Sequence, residues 1–211
     1  MRIENTNIYN SFMAIRGIRN SYDSWDDCDS VGIGVFYGIK WSSYNHCQIG
    51  EKDSKLMQSL VKAGSSHRKF LRQIFVSVDM TLPIFLWSEM DTYRVATVRN
   101  SCSTMHTLAR RILTKDDFEY EPDPVVLGVL NINIKEYQNE KDDDAKNQLF
   151  LRLKNSLPSG FLQKATMTFN YETLLNMYLQ RRSHRLPQWG IICGWIVNLP
   201  LMNLVLGVSN V

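Results

Sequence analysis

The chain has 211 residues, 44% hydrophobic and 21% charged, which is enough apolar material for one substantial core and too much for a disordered chain. Its formal net charge is only +3, with opposite signs mixed along the sequence. General binding to a nucleic-acid polymer is therefore not implied, and any phosphate binding must be local. The opening "MRIENTNIYNSF" lacks the apolar run of a secretory signal, so a cytoplasmic protein is expected. Cys28, Cys47, Cys102 and Cys193 show no CxxC spacing, and His46, His67, His106 and His184 are scattered. That pattern reads as free thiols in a reducing compartment, with no metal site, rather than as a secreted disulfide framework.

In "VGIGVFYG" the glycines Gly32, Gly34 and Gly38 have GxGxxxG spacing with no clear helix start after them, so a strand with turns is expected rather than a phosphate cradle. "KLMQSLVKAG" places Leu56, Met57, Leu60 and Val61 at helical spacing, with Gly64 as the stop. The period then changes to two. In "QIFVSVDM" Ile74, Val76, Val78 and Met80 alternate with Phe75, Ser77 and Asp79, which predicts a strand. Pro83 suits a first helical turn, and "PIFLWSEMDTYR" predicts a helix up to Arg94.

Thr92 to His106, "TYRVATVRNSCSTMH", reads as a helix exit or loop. Arg94, Arg99, Asn100, Ser101, Ser103, Thr104 and His106 crowd into it. Small hydroxyl residues let backbone N–H groups approach a phosphate while an arginine neutralises it; a polar turn with surface arginines is the other reading. Ser103 and His106 lie one helical turn apart, but no orienting third residue is visible, and nothing marks Cys102 as activated. The polar run Tyr137 to Gln148 is expected to be a solvated loop or an exposed helix start separating two parts of one fold.

"MTFNYETLLNMYLQRRSH", Met167 to His184, reads as a helix, largely helical from Met167 to Arg181. Asn170 can cap it, Glu172 suits its positive end, and Tyr171, Leu174, Leu175, Tyr178 and Leu179 form an apolar stripe. At 100° per residue Arg182 projects into the middle of that stripe and Arg181 lies at its edge. Either the helix stops at Gln180 and both arginines serve its negative end, or an inward guanidinium meets a phosphate or a base edge. The C-terminal "WGIICGWIVNLPLMNLVLGV" is interrupted by Asn198, Pro200 and Asn203, which predicts a buried helix broken at Pro200, or a subunit contact, rather than a membrane span.

Taken in order, the strand, the "LPIF" helix, the arginine-and-serine loop and "SLPSGFLQKATMTFNYETLLNMYLQRRSHRLPQW" resemble the flavin-dependent thymidylate synthases. The matching residues are Leu157 and Pro158, Thr168 and Asn170, Asn176 and Arg181, His184, and Gln188 with Trp189. The likeness spans roughly residues 56 to 195, with "AIRGIRNS" as a loose early match.

The resemblance implies a single mixed α/β (α+β) domain over residues 1–211, with helices packed on a small mixed sheet, assembled as a homo-oligomer, a tetramer by preference. It also implies FAD and deoxyuridine monophosphate (dUMP) as ligands, methylenetetrahydrofolate as one-carbon donor, NADPH as reductant, and no cysteine nucleophile. Catalytic roles then fall on Arg181 and Ser103. Nucleotide binding falls on Arg94, Arg99, Ser101, Ser103 and Arg181, and the cofactor side on Asn170, Asn176, His184 and Tyr93. Several positions depart from the family pattern. The R-H-R triplet is Thr92-Tyr93-Arg94, the loop glutamate is Asn100 or Arg99, the loop arginine is Thr104 or Met105, a flavin-facing histidine aligns with Gln73, and Glu172 stands where arginine is common. Two functions follow as expectations: a divergent enzyme transferring a one-carbon unit to dUMP with FAD, or a catalytically silent nucleotide-binding protein, for example a virus-encoded one that sequesters a nucleotide immune signal.

Overall fold

The structure, a computed structural model, describes residues 1–36 and 42–208, with side chains described outside residues 35–36 and 42–46. β1 (Arg2–Tyr9) leads into α1 (Ser11–Gly17). β2 (Val31–Phe36) and β3 (Ser42–Gln48) pair antiparallel with Val31 opposite Gln48 and a register shift between Ile33 and Gly34. The glycine-rich segment is thus the expected strand at Gly32 and Gly34, while Gly38 lies outside the described residues. α2 (Glu51–Lys62) carries Glu51 and Asp53 in its first turn, where carboxylates oppose the helix dipole. Gly64 follows with φ of +102°, a conformation that favours glycine and ends the helical run.

In β4 (Phe75–Pro83) the predicted alternation is realised: Val76, Val78, Met80 and the preceding Ile74 are buried, while Phe75 is exposed. α3 (Ile84–Met90) ends four residues short of Arg94. Both the N–H and the hydroxyl of Thr92 bond the Glu89 carbonyl, at 3.2 and 2.7 Å, and close the helix there. The segment expected to be loop contains β5 (Val98–Ser101) and the short α4 (Thr104–Thr107). β5 lacks an apolar alternation; its place comes from pairing with a distant strand, a signal that no local pattern carries. α5 (Pro124–Asn139) and α6 (Asp143–Ser156) are joined through the polar run, and Asp142 caps α6 by accepting from the N–H of Ala145 at 2.9 Å. β6 (Leu162–Asn170), α7 (Tyr171–Arg181), α8 (Pro187–Val197) and α9 (Met202–Leu206) complete the described elements.

The fold is mixed α+β, and the larger sheet has the strand order β1-β4-β6-β5. Contacts divide the chain into two compact units. The first comprises Met1–Glu4, Asp79–Thr92 and Arg99–Thr166; the second comprises Asn5–Val78, Tyr93–Val98 and Met167–Val211. In the first unit α5 packs on α6 around Leu108, Leu113, Phe118, Leu130, Ile134 and Leu153. In the second, α7 packs on α8, α9 and a 3₁₀ turn at Lys69–Gln73, with Leu71, Ile74, Tyr171, Leu174 and Trp189 fully buried or nearly so. Each such side chain stabilises the fold by about 1.5–3 kcal/mol relative to exposure.

The predicted helix from Met167 needs correction. Residues 167–170 belong to β6, because Ala165, Met167 and Phe169 are buried alternately with the exposed Lys164 and Thr166. The helix begins at Tyr171, whose N–H bonds the Ile74 carbonyl at 3.0 Å, and Asn170 caps it as expected through its side chain and the N–H of Thr173 at 2.8 Å. Leu179, expected in the buried stripe, is 47% exposed, whereas Met177 is fully buried. Arg182 leaves the helix as its exposed C-cap residue, in line with the reading in which the helix stops near Gln180. The C-terminal segment breaks around Pro200 as expected, with Leu201 at φ +66°. Its Ile192, Cys193, Ile196, Met202 and Val205 are buried within the chain, and no helix among the described residues is long and apolar enough to cross a membrane.

Candidate functional site

Helix α7 ends by delivering Arg181 to an aromatic cluster in the second unit. Its Nε–H donates to the Tyr93 hydroxyl at 2.9 Å, and that hydroxyl donates to Oε1 of Gln180 at 3.0 Å. The guanidinium carbon lies 4.9 Å from the Trp189 ring centroid and 5.8 Å from that of Tyr93. Tyr93 and His184 each meet Trp189 edge to face at 6.1 Å. The structure therefore brings Tyr93, Arg181 and His184 together around a fully buried tryptophan. This arrangement holds a half-buried cation against π faces, at a contribution of about 0.5–2 kcal/mol.

Two other predicted residues of this unit have structural tasks. Asn170 is buried and gives its carbonyl to the helix cap. The N–H of Leu186 donates to Nδ1 of His184 at 3.2 Å, tightening the turn between α7 and α8. Asn176 is half-buried on α7, and Arg94 is exposed in the turn before β5. That turn is tied to α7 by Thr173, whose hydroxyl donates to the Val95 carbonyl at 2.7 Å.

A pair that sequence reading missed lies at the start of α7. Glu172 is buried, and its carboxylate receives three bonds from Arg68, at 3.0 to 3.2 Å. A bidentate, desolvated pair of this kind is the low-cost way to bury a carboxylate. The signal was indirect, since only the acidic residue at the family's arginine position hinted at a compensating cation elsewhere.

Arg99 lies in the first unit. It bonds Asp91 at 2.6 Å and Gln163 at 2.9 Å, and stacks over Trp87 at 4.5 Å. Ser101 is exposed at the end of β5. Ser103 is half-buried before α4, and its carbonyl accepts from the Thr107 hydroxyl at 2.8 Å and from the N–H of His106 at 3.2 Å.

Directly after this loop lies a cavity of about 410 Å³ with Leu108, Leu113, Phe161 and Leu162 among its apolar walls. Arg110, Arg111 and Lys164 supply its cations. Arg111 is neutralised by Asp117, whereas the Arg110 and Lys164 side chains have no hydrogen-bond or ion-pair partner among the described residues. Thr104 also lines the cavity, and its hydroxyl accepts from Lys154 Nζ at 2.6 Å. Gln163 is fixed there by donating to the Cys102 carbonyl at 2.8 Å. The arrangement can take a ligand with an apolar or planar body and an anionic end. The adjacent arginines of "TLARRIL", following the hydroxyl-rich loop, were the available sequence signal for it.

No family model matches the chain, and no curated protein matches it. Solved structures do. A flavin-dependent thymidylate synthase, ThyX, from Helicobacter pylori, complexed with FAD and dUMP, superposes with a TM-score of 0.68 at 14% identity, covering 98% of this chain and 97% of the other. A second structure of ThyX from the same organism, also with FAD and dUMP, gives a TM-score of 0.67 at the same identity and coverage. The chain thus has the fold of the flavin-dependent thymidylate synthases, as the ordered motifs implied.

Proposed function

We propose that this protein binds a pyrimidine nucleotide of the dUMP type through the cavity of the first unit. The observation that carries the reading is the pairing of apolar walls with two side-chain cations, Arg110 and Lys164, beside the Ser101–Ser103 loop. A phosphate would meet those cations and the Lys154–Thr104 pair, while the base and sugar lie against Leu108, Leu113 and Phe161. The dUMP held by structures of the same fold supports the choice of ligand class.

FAD fits less well. A flavin dinucleotide is polyanionic, and the chain offers neutral or acidic groups where the resemblance expects arginine or histidine: Thr92, Tyr93, Gln73 and Glu172. The Glu172 carboxylate is buried and already satisfied by Arg68. Arg181 is held by Tyr93 and Trp189. The activity supported best is therefore nucleotide binding without flavin chemistry, as in a protein that sequesters a nucleotide. Transfer of a one-carbon unit to dUMP, with FAD, methylenetetrahydrofolate and NADPH, is the second reading, favoured by the near-complete overlap with a structure holding FAD and dUMP.

A homo-oligomer, with the tetramer of the resemblance preferred, belongs to the same proposal. Val125, Val129 and Ile132 leave an exposed apolar stripe along one face of α5, and sedimentation of the pure protein at micromolar concentration checks it, a monomer counting against it.

Calorimetric titration tests the binding reading. Wild type and an Arg110→Ala/Lys164→Ala variant are compared with dUMP and with cyclic and ADP-ribose-type nucleotides. The variant is expected to lose about 1.5–3 kcal/mol of binding free energy for each charged hydrogen bond removed. Equal affinities, or no binding to any nucleotide, overturn the reading. Visible flavin absorbance in the purified protein favours the enzyme instead.

A further inference from the structure

In the second unit a fully buried carboxylate gathers donors from two other segments. Asp53, in the first turn of α2, has no exposed surface. Arg19 Nε–H, from a 3₁₀ turn at Ile18–Tyr22, donates to its Oδ1 at 2.7 Å. Its Oδ2 accepts from the Ser30 N–H at 3.1 Å, from the Ser30 hydroxyl at 2.6 Å and from the Cys28 thiol at 3.2 Å. A carboxylate without water needs compensating donors, and here a thiol is one of them.

The hairpin register brings a second thiol to the same place. Gly32 of β2 lies opposite Cys47 of β3, and residues directly opposite each other share a face of the sheet. Ser30, two residues before Gly32, falls on that face as well, while Gly32 puts no side chain there. The Ser30 side chain hydrogen-bonds the Cys47 thiol, and Cys28 and Asp53 both act on that thiol electrostatically. Cys28 is extended, at φ −65° and ψ 114°, and its thiol reaches the Asp53 oxygen that the Ser30 hydroxyl also meets. Both thiols therefore border one hydroxyl–carboxylate pair. Each is partly exposed, so a small reagent reaches it, and burial holds both above the ordinary thiol value, so the pair rests protonated.

We propose that Cys28 and Cys47 form a reversible dithiol–disulfide site which, when oxidised, closes the base of the β2–β3 hairpin. With a small disulfide such as oxidised glutathione as the oxidant, one cysteine sulfur loses its proton, attacks and breaks the glutathione S–S bond, and forms a mixed disulfide with release of one glutathione thiolate. The second cysteine sulfur loses its proton and displaces the remaining glutathione. Two protein thiols give up two protons and two electrons, and the oxidant leaves as two glutathione thiols. In the oxidised form Asp53 loses the Cys28 donor and keeps Arg19 and Ser30. In a reducing compartment such bonds act as sensors rather than as permanent cross-links.

The native protein, equilibrated in glutathione buffers of graded ratio and quenched with acid, is mapped by peptide mass. A peptide pair joining Cys28 to Cys47, lighter by about 2 Da than the two reduced peptides and separated by dithiothreitol, is the expected product. Cys28→Ser preserves an O–H donor to Asp53, so it keeps the fold, and it should abolish the link, as should Cys47→Ser. Cys102→Ser should leave the link unchanged. A trivalent arsenical, phenylarsine oxide, gives an arm that does not depend on the rate of oxidation. It bridges two neighbouring thiols, so wild type should bind it at least about tenfold more tightly than Cys28→Ser. A native protein in which oxidation yields no Cys28–Cys47 link, or an arsenical held equally by wild type and Cys28→Ser, overturns the proposal.

Discussion

Arg181 donates its Nε–H to the hydroxyl of Tyr93, 88 residues earlier in the chain, at 2.9 Å. This bond, with the Trp189 face beneath the guanidinium, explains why an arginine ends an otherwise apolar helix face: the cation is solvated by a phenol and by ring π faces. Tyr93→Phe keeps the ring and removes the acceptor, so unfolding stability in urea is expected to fall by about 0.5–1.5 kcal/mol. Arg181→Lys should fall further than its conserved charge suggests, because an ammonium cannot reproduce the planar stack on Trp189.

The Arg68–Glu172 pair gives a sharper contrast. Both side chains are largely buried, at 17% and 11% exposure. Removing one partner strands the other charge, so Glu172→Ala is expected to cost about 3–5 kcal/mol in chemical denaturation. Replacing both, as Arg68→Met/Glu172→Leu, should recover most of that loss, since the costly state is the single uncompensated charge. A double variant as unstable as the single one would show that the pair does more than neutralise itself.

Acid sensitivity is expected at Asp117. Burial raises its carboxyl, but bonds from Arg111 and from the N–H and hydroxyl of Thr114 outweigh that and hold it below the ordinary value of 3.8. A lowered folded value means the stabilisation is fully present above the unfolded value and is lost as pH falls through the folded one. The stability gap between wild type and Asp117→Asn should therefore shrink as pH drops below about 3.8, measured by thermal melts across an acid series.

Thiol reactivity should divide the cysteines. Burial, reinforced by the neighbouring Cys28 and Asp53, pushes the Cys47 thiol up to about 11. Burial also raises Cys193, whereas Cys102 is exposed. Because the thiolate is the nucleophile, brief alkylation at mildly alkaline pH should label Cys102 well before Cys47 or Cys193, read by peptide mass mapping.

The sequence alone determined what a few neighbouring residues encode. The two-residue period through Ile74, Val76, Val78 and Met80, the Asn170 cap, the stop at Gly64 and the break at Pro200 all depend on local sterics and hydrogen bonds, and all appear as read. The order of short motifs was enough to give the fold. Tertiary structure decided the rest. Met167–Asn170 became strand because a neighbouring strand satisfies its backbone, although its residues sit next to a strong helical pattern. Leu179 left the core because the packing partners of α7 fix which arc is buried, and periodicity alone does not name them. Glu172 met Arg68 across 104 positions, and the cavity cations Arg110 and Lys164 gathered from separate segments. Such pairings join groups distant in sequence, and their energies depend on burial that exists only once the chain has folded.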